Sequence, residues 1–164
     1  GASEKRFQGF TIPAVISYGI ENADPSFLRK VFSKIGSRTS RMPFEQLFYD
    51  SDNKRLISEN DFNDSNKGKV PNYPPYLKDF LAAIRSGPSA LNIQPWRFVV
   101  SEKEVHLFDA KMSSYSQFDI GIALANLHLL KDIRGGSCTF EVKDPAPSAS
   151  PLSGTYIATA VYQE

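Results

Sequence analysis

Arg85-Ser-Gly-Pro-Ser-Ala-Leu-Asn-Ile-Gln-Pro-Trp-Arg-Phe98 joins the end of an apolar-periodic segment to a strand-like run, Phe98-Val-Val100. Gly87-Pro88 ends a helix, since proline has no N–H to continue the ladder. Ser89, Asn92 and Gln94 then place hydroxyl and amide groups in the bend, and the chain's only tryptophan, Trp96, closes it. The residues alone leave two readings open. The turn is a proline-stiffened joint that Trp96 anchors on the core, or its backbone and short polar side chains hold a ligand.

The flanking segments set the architecture. Pro74-Pro75 opens a helix whose apolar stripe is Tyr76, Leu77, Phe80, Leu81 and Ile84. After the turn, 97–100 and 104–108 read as two strands, and the polar link Ser101-Glu102-Lys103 makes them a hairpin. Residues 118–134 form the strongest helix. Ile120, Ala123, Leu124, Leu127 and Leu130 mark one face, while Ile122, Ala125 and Leu129 cover the other. A helix apolar nearly all round is buried on several sides. Gly135-Gly136 ends it, Cys138 falls in the turn that follows, 144–154 is a loop, and 155–162 is a closing strand.

Upstream, 11–18 is almost wholly apolar and reads as a strand. Asp24-Pro25 caps a helix carrying Phe27, Leu28, Val31, Phe32 and Ile35, which Gly36 stops. Residues 37–49 read as a basic turn leading into a short amphipathic segment, and 50–72 as a polar excursion or linker. About four strands and three helices without a strict strand–helix rhythm predict an α+β fold.

Composition narrows the function. The chain has 164 residues, 41% apolar and 23% charged, enough for one domain with a core. The net charge of +1 gives no field that would recruit nucleic acid. No apolar run is long enough to span a membrane. The single cysteine, Cys138, cannot form an internal disulfide, which favours a reducing, cytoplasmic setting.

Other motifs are set against plainer readings. Ser37-Arg-Thr-Ser-Arg41 suits a phosphate, because guanidinium groups pair with phosphate oxygens in a fork; its plainer reading is a solvated basic turn. His106 alternates with apolar neighbours and is expected on the solvent face of a strand. His128 sits on a crowded helix, and the two histidines lack zinc-ligand spacing. Asp50, Asp52, Asp61 and Asp64 read as loop solvation, since Lys54 and Arg55 stand where a calcium loop needs an oxygen ligand and Gly.

Three segments together carry a resemblance. Residues 86–98 resemble the PSxxNxQPW flavin turn of FMN-dependent nitroreductases. Residues 118–129 are similar to that family's DxGxAxxNLxL core helix. Ile12-Pro-Ala-Val-Ile-Ser-Tyr-Gly19 followed by Ser40-Arg-Met-Pro-Phe-Glu-Gln-Leu-Phe48 resembles its carboxyl-terminal end. The end piece precedes the turn, an order that resembles the "putative TM nitroreductase" family, where one chain carries two nitroreductase-like halves.

The resemblance implies a nitroreductase-like α+β fold with a mainly antiparallel central sheet, incomplete at the amino terminus. A single domain over 1–164 would comprise the end of a first half at 10–49, a polar loop at 50–74 and a second half at 75–164. FMN is the implied cofactor, NAD(P)H the hydride donor, and a small nitro- or quinone-like aromatic acceptor the substrate. Arg41, assisted by Arg38, is matched to the phosphate, and Pro88, Ser89, Asn92 and Gln94 to the flavin ring. No protein group is implied as catalytic acid, base or nucleophile. The amino-terminal RRSxRxF segment of the family is not present in the chain. The implied partner is therefore a second copy in a homodimer, or a missing amino-terminal half. The alternative is a cofactor-free module with a structural or small-ligand-binding role.

Overall fold

A computed structural model describes residues 40–63, 71, 73, 75–112, 116–134 and 136–163. The strand expected at 11–18, the helix after Asp24-Pro25, and Arg38 lie outside the described residues.

Six strands form one sheet: β1 (Phe48–Asp50), β2 (Arg55–Leu56), β3 (Trp96–Val100), β4 (Glu104–Asp109), β5 (Ser137–Glu141) and β6 (Thr155–Gln163). Their order is β2-β1-β3-β4-β6-β5. Every neighbouring pair is antiparallel except β1 and β3, which run parallel with Phe48 opposite Phe98. Parallel neighbours need a crossover, and helix α1 (Pro75–Ser86) lies between them in the chain. Helix α2 (Ser116–Arg134) follows β4 and packs against α1 and across β3 to β6. The fold is α+β with a mainly antiparallel sheet.

Two-residue alternation sets the core. Trp96, Phe98 and Val100 on β3, Val105 and Leu107 on β4, and Ala160 and Tyr162 on β6 join the buried cluster under the helices. Leu77, Phe80, Leu81 and Ile84 give α1 its buried stripe, and Ile120, Ala123, Leu127 and Leu130 do the same for α2. The Tyr162 hydroxyl donates to Leu127 O at 2.8 Å, tying α2 to β6. The second apolar stripe of α2 is largely left open by the described residues. Phe118 and Leu129 are 50% and 56% exposed, Ala125 is exposed and Ile122 half-buried. These four fall at i, i+4, i+7 and i+11, one open face rather than burial on several sides.

Three strands differ from the sequence expectation. The polar stretch after Tyr49 contains the β1–β2 hairpin and a 3₁₀ turn, Glu59–Phe62, rather than a structureless linker. Asp50 is buried and accepts from Asp52 N and Asn53 N, both at 3.0 Å, so it builds the hairpin turn instead of solvating a loop. Asp61 closes a capping box with Ser58 and accepts from Arg55 at 2.8 Å. Cys138 lies in β5, an edge strand, not in a turn.

Candidate functional site

The polar turn sits at the amino ends of β1 and β3. Gly87 fits a tight space between α1 and α2: a Cβ there would meet Ile84 O at 3.1 Å and Asn126 Nδ2 at 3.2 Å. Beyond it the backbone takes a costly path. Leu91, Asn92 and Gln94 all have positive φ, at 51°, 54° and 50°. Such conformations cost roughly 1–3 kcal/mol each in non-glycine residues and persist only where the surroundings hold them.

The surroundings here are a strap, residues 40–42. Arg41 Nη1 donates to Gly87 O at 2.9 Å and to Asn92 Oδ1 at 2.7 Å. Its Nη2 donates to Ser86 O at 3.0 Å. Asn92 Nδ2 returns a bond to Ser40 O at 3.3 Å, and Met42 N donates to Gln94 Oε1 at 3.1 Å. Arg85 Nε donates to Met42 O at 2.7 Å while its guanidinium lies over the Phe44 ring, 5.4 Å from the centroid. The strap and the turn are thus sewn together by charged and neutral donors, most of them part-buried.

Within the turn, Gln94 is 1% exposed and its Nε2 donates to Asn92 O at 3.3 Å. Gln94 N donates to Ser89 Oγ at 3.0 Å. Arg97 Nη1 donates to Gln94 O and Trp96 O, at 3.0 and 2.6 Å, and burial lowers its pKa. From the start of α2, Asp119 Oδ1 accepts from Ala90 N at 3.0 Å. Burial pushes the Asp119 carboxyl above its usual range, and the Ala90 bond opposes that shift. Trp96 is 1% exposed, and its indole N–H has no acceptor among the described residues.

Of the residues singled out in sequence, Arg41, Pro88, Ser89, Asn92 and Gln94 come together here. Arg85, Arg97 and Asp119 were not singled out, although they hold the turn. Asp119 stood within the quoted helix motif, while Arg85 and Arg97 carried no signal beyond flanking the turn.

Three groups are left without a full set of partners among the described residues. The Ser89 hydroxyl accepts from Gln94 N and keeps its hydrogen for an outside acceptor. Arg41 keeps its Nε hydrogen and one Nη2 hydrogen, enough to meet a phosphate oxygen. Leu91, 67% exposed, offers an apolar surface beside them. An amphipathic ring bearing carbonyl groups and a phosphate fits that donor set. Asn92 and Gln94 have their side-chain amides engaged within the turn and strap.

His106 is half-buried rather than solvent-facing. It sits on the sheet face away from the helices, with Nδ1 2.8 Å from Thr159 Oγ1. Burial lowers its pKa more than nearby Glu104 raises it. No helix among the described residues is long and apolar enough to cross a membrane.

The family described as "Putative TM nitroreductase" matches residues 54–130, which contain the turn and most of α2. The chain is 18% identical to a Thermotoga maritima protein described as a "putative nitroreductase", whose crystal structure aligns with a TM-score of 0.45. That alignment covers 75% of this chain and 42% of the other, so the chain spans less than half of that protein's length. No curated protein matches the chain. The resemblance to nitroreductases read from the turn and the core helix is supported over residues 54–130.

Proposed function

We propose that the chain is an FMN-binding part of a nitroreductase-type oxidoreductase, with residues 88–92 as one wall of the flavin pocket. The observation that carries this is the strapped turn, whose three left-handed non-glycine residues are held by Arg41, the Met42 N–H and Asp119. A joint that merely reversed the chain would not need that strain.

When bound, FMN would supply hydride transfer from NAD(P)H to a nitro- or quinone-like acceptor. The chain's own residues bind and orient. Ser89 donates its hydroxyl hydrogen to a ring carbonyl, Arg41 gives its remaining N–H edge to the phosphate, and Pro88 and Leu91 contribute apolar surface. Arg38, Asn92 and Gln94 are assigned to the same pocket, the last two through the shape they give the turn. No side chain of the turn acts as acid or base.

The open stripe Phe118, Ile122, Ala125 and Leu129 supports a second nitroreductase-like half that covers α2 and completes the pocket, from a second copy or the same polypeptide. A cytoplasmic setting is consistent with the free thiol of Cys138.

The test is incubation with FMN followed by gel filtration. Retained yellow protein absorbing near ~450 nm, the ordinary flavin band of such enzymes, is the expected outcome. Colourless protein, with FMN fluorescence unquenched at any protein concentration, would favour the cofactor-free module instead.

A further inference from the structure

The opposite end of the same strands holds a cavity that the flavin proposal does not use. A space of ≈ 370 Å³ opens between the carboxyl ends of β1 and β3, the start of β4 and the first turns of α1. That falls within the ~300–1,000 Å³ usual for small-molecule pockets. Its floor is apolar: Leu77 and Phe80 from α1, Val105 from β4 and Leu130 from α2, all buried.

Its rim is acidic. Asp50 is 4% exposed, and all four of its acceptor positions are filled. Oδ1 takes Asp52 N and Asn53 N, while Oδ2 takes Asn53 Nδ2 at 2.7 Å and the Tyr73 hydroxyl at 2.8 Å. The buried carboxylate therefore contributes its field rather than a further hydrogen bond. Asp52 is exposed; its Oδ2 accepts from Glu102 N at 2.8 Å, and its Oδ1 has no partner among the described residues. Neither aspartate has an ion-pair partner among those residues. Arg55, whose charge reaches Tyr73, is held at 2.8 Å by Asp61. The amino end of α1 adds about half a positive charge at most, less than the two carboxylates.

We propose that this cavity binds a small organic cation, a primary amine on an aryl or alkyl body. The ammonium group meets Asp52 Oδ1 within the field of Asp50, and the body rests on Leu77, Phe80, Val105 and Leu130. The site is independent of the flavin proposal, because five residues of β3 separate the two ends by roughly 15 Å.

Amide NMR titrations with 2-phenylethylamine, 2-phenylethanol and phenylacetate at low salt test this. The amine should saturate shifts at 50–53, 77–80 and 105, binding about fivefold tighter than the alcohol, with the acid weakest. Asp52→Asn keeps an acceptor for Glu102 N and should erase the preference for the amine over the alcohol. Failure of the amine to saturate any of those shifts would overturn the proposal. Equal binding of alcohol or acid would overturn the cation assignment, and shifts confined to 86–94 would place the ligand at the other end.

Discussion

At the amino ends of β1 and β3, most donors and acceptors of Arg41, Asn92 and Gln94 are bound to the chain itself. At the carboxyl ends, Asp50 is likewise saturated, but among the described residues Asp52 leaves an oxygen over an open cavity. The first end is strained and stapled: three positive-φ residues are held by the 40–42 strap and by Asp119. The second is hollow, with an apolar floor and an acidic rim, and its hairpin turn carries one positive-φ residue, Lys54. A preformed wall for a large planar ligand needs the first arrangement, because its shape must exist before the ligand arrives. A small cation needs only a cavity and a charge.

Breaking the staple should have the largest effect. Arg41→Ala removes three bonds and takes the guanidinium donor from Gly87 O and Ser86 O, so stability in urea should fall by about 3 kcal/mol. Arg41→Lys should recover less than half, since an ammonium cannot span the same acceptors. Amine binding at the far cavity should persist in both variants. A loss under about 1 kcal/mol for Arg41→Ala would mean that the strap does not hold the turn.

Asp119→Ala should cost about 2 kcal/mol by stranding Ala90 N, whereas Asp119→Asn, which keeps an acceptor, should cost clearly less. Equal losses would shift the role of Asp119 from hydrogen bonding to charge. Leu91→Gly should go the other way. The side chain is largely exposed and the backbone left-handed, so glycine relieves strain and should stabilise by about 1 kcal/mol in thermal or urea unfolding. Destabilisation would show that Leu91 is not strained as its φ implies.

The smallest effect lies between the two ends. His106 has a depressed folded-state pKa, so the unfolded chain binds more protons as pH falls below about 6.5. Stability should be full above that pH and decline as pH drops toward the folded value. His106→Gln should flatten this part of the stability–pH curve, a change of about 2 °C or less in Tm, while leaving both ends unaltered. An unchanged slope would place the proton uptake elsewhere.

Long elements were legible in sequence, and short ones were not. The stripes of α1 and α2 and the alternation along β3, β4 and β6 come from burial on one face, which periodicity records. β1 and β2 have three and two residues, too few for a period, and Asp50 and Asp61 read as loop solvation because their pairing inside the turn and the capping box leaves no pattern in the sequence; Asp64 lies outside the described residues. β5 is exposed at nearly every position, so no alternation exists to find. At the site, residue types were visible but their pairings were not. Nothing in the spacing of Arg41 and Asn92, 51 residues apart, shows that one guanidinium joins them. The same long-range pairing decides which hydrogens remain for a ligand.

Whether residues 88–92 form a preformed flavin wall is tested most directly by amide shifts on titration with FMN. Saturable shifts confined to 87–92, Arg41 and the start of α2, weakened by Ser89→Ala, are the predicted result. Saturation without any change at 87–92, or shifts at 50–53 and 77–80 instead, would contradict it.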